Sequence, residues 1–216
     1  MLVKATIFDR IKAVVPPIED AQSPLYGQER YHRYSVNLLR FIIRARLLGD
    51  PSLTSMDDVT SGDLFEAFWR TLIYNRTGDD LREKSRPESV IGCSFAYWYM
   101  LSKLYFTRKW EKNPYLFDLH LRVLQKLMVP FGRIFDLTYG SRSFFVTESG
   151  RIGWAPRTAD PGDVVAMFLG NRIPFVAKSV CGGDDWEYAG GCYVHGCMDG
   201  ETWRIDGVEW KFMRFV

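Results

Sequence analysis

Apolar positions along this chain follow two different rhythms, and the change falls near residue 140. Up to that point they recur mainly at helical spacing; beyond it they form short β-type runs broken by glycine turns. Residues 3 to 15 are an early exception, because Val3, Ala5 and Ile7 alternate as in one or two short strands before Pro16 and Pro17. The spacing predicts an amphipathic helix over 28–48, with Val36, Leu39, Ile43 and Leu47 on its apolar face. A second helix follows the Thr60/Asp63 capping-box pair and buries Leu64, Phe65, Phe68 and Leu72. A third begins at Ser85 to Glu88, runs to about 108 and is dense in aromatics, which points to core packing. Asn113 and Pro114 open a fourth, which Pro130 is expected to limit.

From 143 onward the runs "SFFVT", "RIGWA", "VVAMFL", "RIPFVAKSV", "WEYAGGCYVHG", "GETWRI" and "VEWKFMRFV" sit at hairpin spacing. Turns are expected at Ser149-Gly150 and Gly170-Asn171. At "PGD" the proline presets the turn and Asp163 accepts backbone hydrogen bonds. So many short strands predict an α+β fold: about four helices in an N-terminal layer, packed on a small antiparallel β-barrel or sandwich formed mainly by the C-terminal part. The boundary then divides 1–140, a strand plus a helical region, from 141–216, the barrel-like region. The first strand is also able to join the later sheet, which would make the two halves one compact unit.

Composition adds mostly exclusions. In 216 residues, 47% apolar and 25% charged is ordinary globular material. The 28 basic against 26 acidic residues leave a net charge of only +2, so no global field favours nucleic acid or anionic lipid. Charges at Lys4, Asp9, Arg10 and Lys12 interrupt any signal-peptide core. The uncharged run from Ser89 to Ser102 is too short to span roughly 30 Å of hydrocarbon as a helix. A cytoplasmic protein with no membrane association is the expectation. The four cysteines have no framework spacing, which fits free thiols in a reducing compartment.

Two places concentrate chemistry. On the first helix Arg30, Arg33, Arg40 and Arg44 recur at three- and four-residue steps with Asn37 between them. This is either a solvated face paired with local carboxylates or a docking stripe for an acidic partner, phosphate or nucleic acid. In "GGCYVHGCMDGE", residues 190–201, Cys192, His195 and Cys197, with Cys181 upstream, supply zinc-ligand atoms. Strand alternation, however, sends Cys192 and His195 to opposite faces unless a bulge at Gly190-Gly191 or Gly196 redirects them. A thiol mechanism would pair His195 with Cys197 or Cys93 and orient it through Asp199 or Glu201. No helix start or glycine loop around a cysteine would lower its pKa, so cysteines as small packing residues are the plainer reading. No phosphate loop, dinucleotide fingerprint or H-E-x-x-H helix occurs, and no cofactor is expected.

The segments "ATIFDRIKAV", "EAFWRTLIYNRT", "RSFFVTESGRIGWAP", "PGDVVAMFLGNRIPFVAKSV" and "GCYVHGCMDGE" resemble, in order, the C-terminal region of fungal heterokaryon incompatibility (HET domain) proteins. The resemblance implies a link to non-self recognition and programmed cell death, in the manner of innate immunity. It carries over no catalytic residue, because the HET domain that precedes this region in the family has no counterpart here. The leading reading is a non-catalytic accessory or interaction module whose partner is a protein, such as a HET-type signalling domain in cis or in trans. The alternatives are a hydrolase or transferase centred on His195 with a cysteine or carboxylate, and a nucleic-acid-binding module using the arginine stripe.

Overall fold

The computed structural model describes residues 1–17, 36–37, 39–40, 63–77, 83–84, 90–106, 126–135, 142–180, 185–198 and 209–216. They fall into two units: residues 1–17 with those from 142 onward, and the residues between 36 and 135.

The first unit is built on β1 (Leu2–Val15), a single 14-residue strand rather than one or two short ones. It does join the later sheet. Its start pairs with β10 (Lys211–Phe215), its middle with β6 (Val164–Phe168) and its end with β4 (Arg142–Thr147), all antiparallel. Irregular register at Ile7/Asp9 and Ile11/Ala13 marks two bulges, which let one strand turn from partner to partner. β7 (Phe175–Ser179) pairs with β6, and β8 (Asp185–Gly191) pairs with β7. β10 pairs with β8 as well as β1, so the ring β1-β6-β7-β8-β10 closes. A closed ring with an odd number of strands cannot alternate direction throughout. The β8–β10 seam is accordingly parallel, with Arg214 opposite Asp185. That seam corrects the expectation of a wholly antiparallel barrel.

Every barrel strand sends side chains into one core: Val3, Ala5 and Ile7, then Val164, Ala166 and Phe168, then Phe175 and Ala177, then Trp186, and finally Met213 and Phe215. Phe168 stacks on Phe175 at 4.0 Å between ring centroids, and Phe215 meets both edge-on. The barrel is thus filled with aromatic rings.

Beyond the ring, β4 continues to β5 (Ile152–Pro156) and the two-residue β9 (Tyr193–Val194). A second core joins Phe145, Ala155, Val194, Cys192 and Cys197 of this extension to Ile11, Val165 and Val176 of the barrel strands. Trp154 is fully buried and meets Phe144 edge-on at 5.3 Å. Gly150 and Gly170, at φ 83° and 85°, occupy the expected turns. The expected strand "GETWRI" lies outside the described residues.

In the second unit, α1 (Asp63–Leu72) buries Phe68, Trp69 and Leu72. α2 (Val90–Phe106) buries Phe95, Trp98 and Tyr99 and leaves Tyr97 partly exposed, so its aromatics between 95 and 99 are largely core. Phe95 meets Phe68 of α1 at 5.8 Å and Phe131 at 4.9 Å. Residues 126–135 are helical straight through Pro130, which therefore does not end this helix as expected. The fixed φ of proline suits a helix, and the ring removes only one backbone bond. Phe131 N–H, one residue on, donates to buried Ser94 Oγ of α2 at 3.1 Å. Helical residues 36, 37, 39 and 40 bury Val36 and Leu39 and expose Asn37 and Arg40, the polarity expected of the first helix. Other parts of the expected four-helix layer, including 41–62 and 107–125, lie outside the described residues.

The motif "EAFWRTLIYNRT" has a clear local purpose. Tyr74 and Asn75 both adopt positive φ and stop α1, with Asn75 N–H returning to Arg70 C=O at 2.6 Å, and the chain passes into β2 (Arg76–Thr77), which pairs antiparallel with β3 (Glu83–Lys84). The buried Arg70 guanidinium spans this end, donating to Glu66 Oε1 at 2.8 Å and Asn75 Oδ1 at 2.7 Å.

Candidate functional site

The segment singled out by its chemistry leaves β8 at Gly191 and enters β9 at Tyr193. Cys192 N–H donates to Pro174 C=O at 2.9 Å, and the Cys192 side chain is buried in the second core. His195 follows β9 in a turn; its N–H donates to Ile152 C=O at 3.0 Å. At Gly196 the backbone takes φ 73°, a conformation that suits glycine, and the chain doubles back so that Cys197 N–H reaches Val194 C=O at 3.1 Å. This turn returns Cys197 to the same core as Cys192. The His195 ring stays half-buried, with Nδ1 3.5 Å from Tyr193 Oη.

This arrangement suits packing. Burial pushes the Cys192 thiol well up, against a small opposing pull from the Arg142 cation, so it stays protonated. Among the described residues no cluster of three or more His, Cys, Asp or Glu side chains is placed to hold a metal. Asp199, Glu201 and Cys181 lie outside the described residues. Cys93 is exposed on α2. With Cys181 replaced by alanine, a thiol reagent is expected to modify Cys93 in the native chain and to reach Cys192 and Cys197 only on unfolding, as read by mass spectrometry. Of the arginine stripe, only Arg40 is described, and it is exposed; Arg30, Arg33 and Arg44 lie outside.

Among the described residues, one well-developed polar cluster is not revealed by spacing alone. Asp9 of β1 is turned onto the β4–β5 hairpin, its side chain 4% exposed, and forms an ion pair with Arg151 Nη1 at 2.9 Å. Ser149 Oγ also donates to the same carboxylate oxygen, Arg10 N–H reaches the other at 2.9 Å, and Thr147 Oγ1 accepts from Arg151 N–H at 2.9 Å. Burial on its own would raise the Asp9 pKa. Hydrogen bonds from Ser149, Thr147, the Arg10 backbone and Arg151 outweigh it and hold the carboxyl below its ordinary value. The one sequence signal was a carboxylate inside an otherwise alternating strand.

A second cluster fastens the loop before β6. Asp163 Oδ2 accepts Asp160 N–H at 2.8 Å, the turn role expected of it. Lys178 Nζ lies 2.6 Å from Asp160 and 3.4 Å from Asp163. Partial burial pulls the Lys178 pKa down, but the two carboxylates raise it overall. Arg142 Nη1 donates to Gly191 C=O at 2.8 Å, tying β4 to the end of β8. Among the described residues no helix is long and apolar enough to cross a membrane.

Residues 134–209 match the Het-6 beta-barrel domain. Two of the five barrel strands, β1 and β10, lie outside that match. Heterokaryon incompatibility protein 6, OR allele, of Neurospora crassa is 42% identical over 59 residues, which are 26% of this chain and 9% of that protein. The chain thus matches only a small part of its relative's length. No solved structure gives a significant match. Through this C-terminal barrel region the chain is related to the fungal heterokaryon incompatibility proteins.

Proposed function

We propose that this chain is a non-catalytic interaction module that docks, restrains or senses for a signalling domain, in the setting of non-self recognition and cell death that its incompatibility relatives suggest. The observation that carries this reading is the filling of the barrel: each of its five strands contributes to one apolar core crowded with aromatic rings. The described polar clusters around Asp9 and Asp163 hold turns against strands, and the cysteines nearest His195 are buried. A cytoplasmic protein partner, such as a HET-type domain in cis or in trans, is part of the proposal.

The arginine stripe of Arg30, Arg33, Arg40 and Arg44 is the proposed basic contact surface. Replacing Arg33 and Arg40 together with glutamate is expected to leave the far-ultraviolet circular dichroism unchanged. Calorimetric affinity for a HET-type domain supplied in trans should fall about tenfold or more. Unchanged affinity removes the stripe as a contact surface. Affinity for random-sequence duplex DNA that collapses with rising salt would favour the nucleic-acid alternative instead.

A further inference from the structure

α2 is fastened to its own unit by one face. Phe95 and Trp98 meet Phe131 at 4.9 and 5.2 Å between ring centroids, Ser94 Oγ accepts Phe131 N–H, and Tyr99 is buried as well. The outward face is apolar too. Val90 is 73% exposed, Tyr97 38% and Met100 44%, and Cys93 and Ala96 are exposed with them. No charged residue occurs from Ser89 to Ser102. A helix that is apolar on both sides normally has both sides covered, and among the described residues no helix is long and apolar enough for a membrane to do so by being crossed.

The spacing of the exposed residues points to a second helix as the cover. Val90, Cys93, Tyr97 and Met100 advance by steps of three, four and three, the 3.5-residue repeat that keeps a seam turned towards a partner helix. The seam is also its own complement. When two copies run antiparallel about the level of residue 95, Val90 meets Met100 of the other copy and Cys93 meets Tyr97, so every layer joins a smaller side chain to a larger one. A parallel pair would set Tyr97 against Tyr97 and Cys93 against Cys93. Charge favours the same arrangement, because the uncharged run is bounded in the sequence by Glu88 and Lys103. Antiparallel copies bring those opposite signs together at each end and also oppose their helix dipoles; parallel copies bring like signs together.

We infer that the α2 seam of Val90, Cys93, Tyr97 and Met100 is a self-association surface, on which a second copy of this chain packs its own α2 antiparallel. Ala96, next to the midpoint, lets the two backbones approach closely. So short a seam falls well under the roughly 20–30 residues a side of a stable interface, which makes the dimer weak and concentration-dependent. The inference goes beyond the interaction-module reading, which concerns a different protein, and uses no residue of the arginine stripe.

Sedimentation velocity of the purified full chain in reducing buffer is expected to move from monomer towards dimer as concentration rises. Ala96→Glu and Met100→Glu, both at exposed positions, should raise the dissociation constant about tenfold or more at unchanged thermal midpoints, while R33E/R40E should leave it as in the parent. Cross-linking reads the orientation, and tests the same seam without adding a charge. With Cys181 replaced by alanine, Tyr97→Cys in the presence of glutathione disulfide should give a covalent dimer whose linked peptides join Cys93 of one copy to the introduced thiol of the other. Each new bond joins two thiols, with glutathione disulfide taking up the two electrons and two protons. The same chain with Tyr97 retained should stay uncross-linked. A monomer at every concentration, or a dimer that survives both glutamate variants, would overturn this surface while leaving the interaction-module reading in place. Cross-linking from Cys93 to Cys93 with Tyr97 retained would overturn the antiparallel arrangement.

Discussion

Gly153→Ala is expected to cost about 3 kcal/mol, at the top of the range for overpacking, because the added methyl has nowhere to go. Its Cβ would stand 2.1 Å from Tyr193 C=O and 2.8 Å from the Phe145 ring. The ring sits in the buried second core and the carbonyl belongs to the strand paired with Gly153, so relief requires β5 and β9 to part. That opening would loosen Cys192, Val194 and Cys197 together. A urea titration should therefore show a lower midpoint, with Cys192 and Cys197 becoming reactive to thiol reagents before the main transition. Gly132→Ala is the matched control. Nothing lies within 4 Å of its Cβ, and in a helix alanine is favoured over glycine by about 0.5–1 kcal/mol. A Gly153→Ala chain as stable as the parent would show that β5 and β9 are not held at this spacing.

Asp9→Asn is expected to cost about 2 kcal/mol near neutral pH, the scale of hydrogen bonds to a charged group, since the amide cannot accept from Ser149, Arg10 and Arg151 as the carboxylate does. Arg151 remains partly solvated, which keeps the loss below that of breaking a fully buried pair. The folded-state pKa of Asp9 lies below the unfolded one, so its contribution is fully present above about pH 4. It disappears as pH falls through the depressed folded value. Parent and variant should thus differ most in urea midpoint at neutral pH and converge in acid. A gap that persists unchanged to low pH would mean that the hydrogen-bonded carboxylate is not the source of the stability.

The parts of this fold visible in the sequence are those encoded by neighbours. The hairpins around Gly150 and Gly170 were legible because turn chemistry and alternation are local, and their strands appear within a few residues of expectation. Closure was not legible. Alternation in β1 announces a strand without saying that it meets β10, β6 and β4 in succession, and nothing local marks the parallel seam at Arg214. The same limit applies to the candidate site. Alternation placed Cys192 and His195 apart, while the return of Cys197 beside Cys192 required the positive φ of Gly196. Asp9 and Ser149 are 140 positions apart, and no spacing rule joins them. Pro130 shows the reverse error, a local signal read as a stop that the helix accommodates.

The meeting of β1 with β10 has a consequence for synthesis. Met1 and Phe215, which exchange backbone hydrogen bonds, are 214 positions apart. At about 5–20 residues per second, the first strand waits on the order of 10–40 s on the ribosome before its last partner emerges. During that interval Ala5 and Ile11, which the finished protein hides, have no barrel to cover them, and the strand's open backbone edge is a template for the wrong neighbour. Until β10 emerges, that edge depends on pairing with β6 and β4, or on shielding from outside the fold, to stay out of wrong pairings.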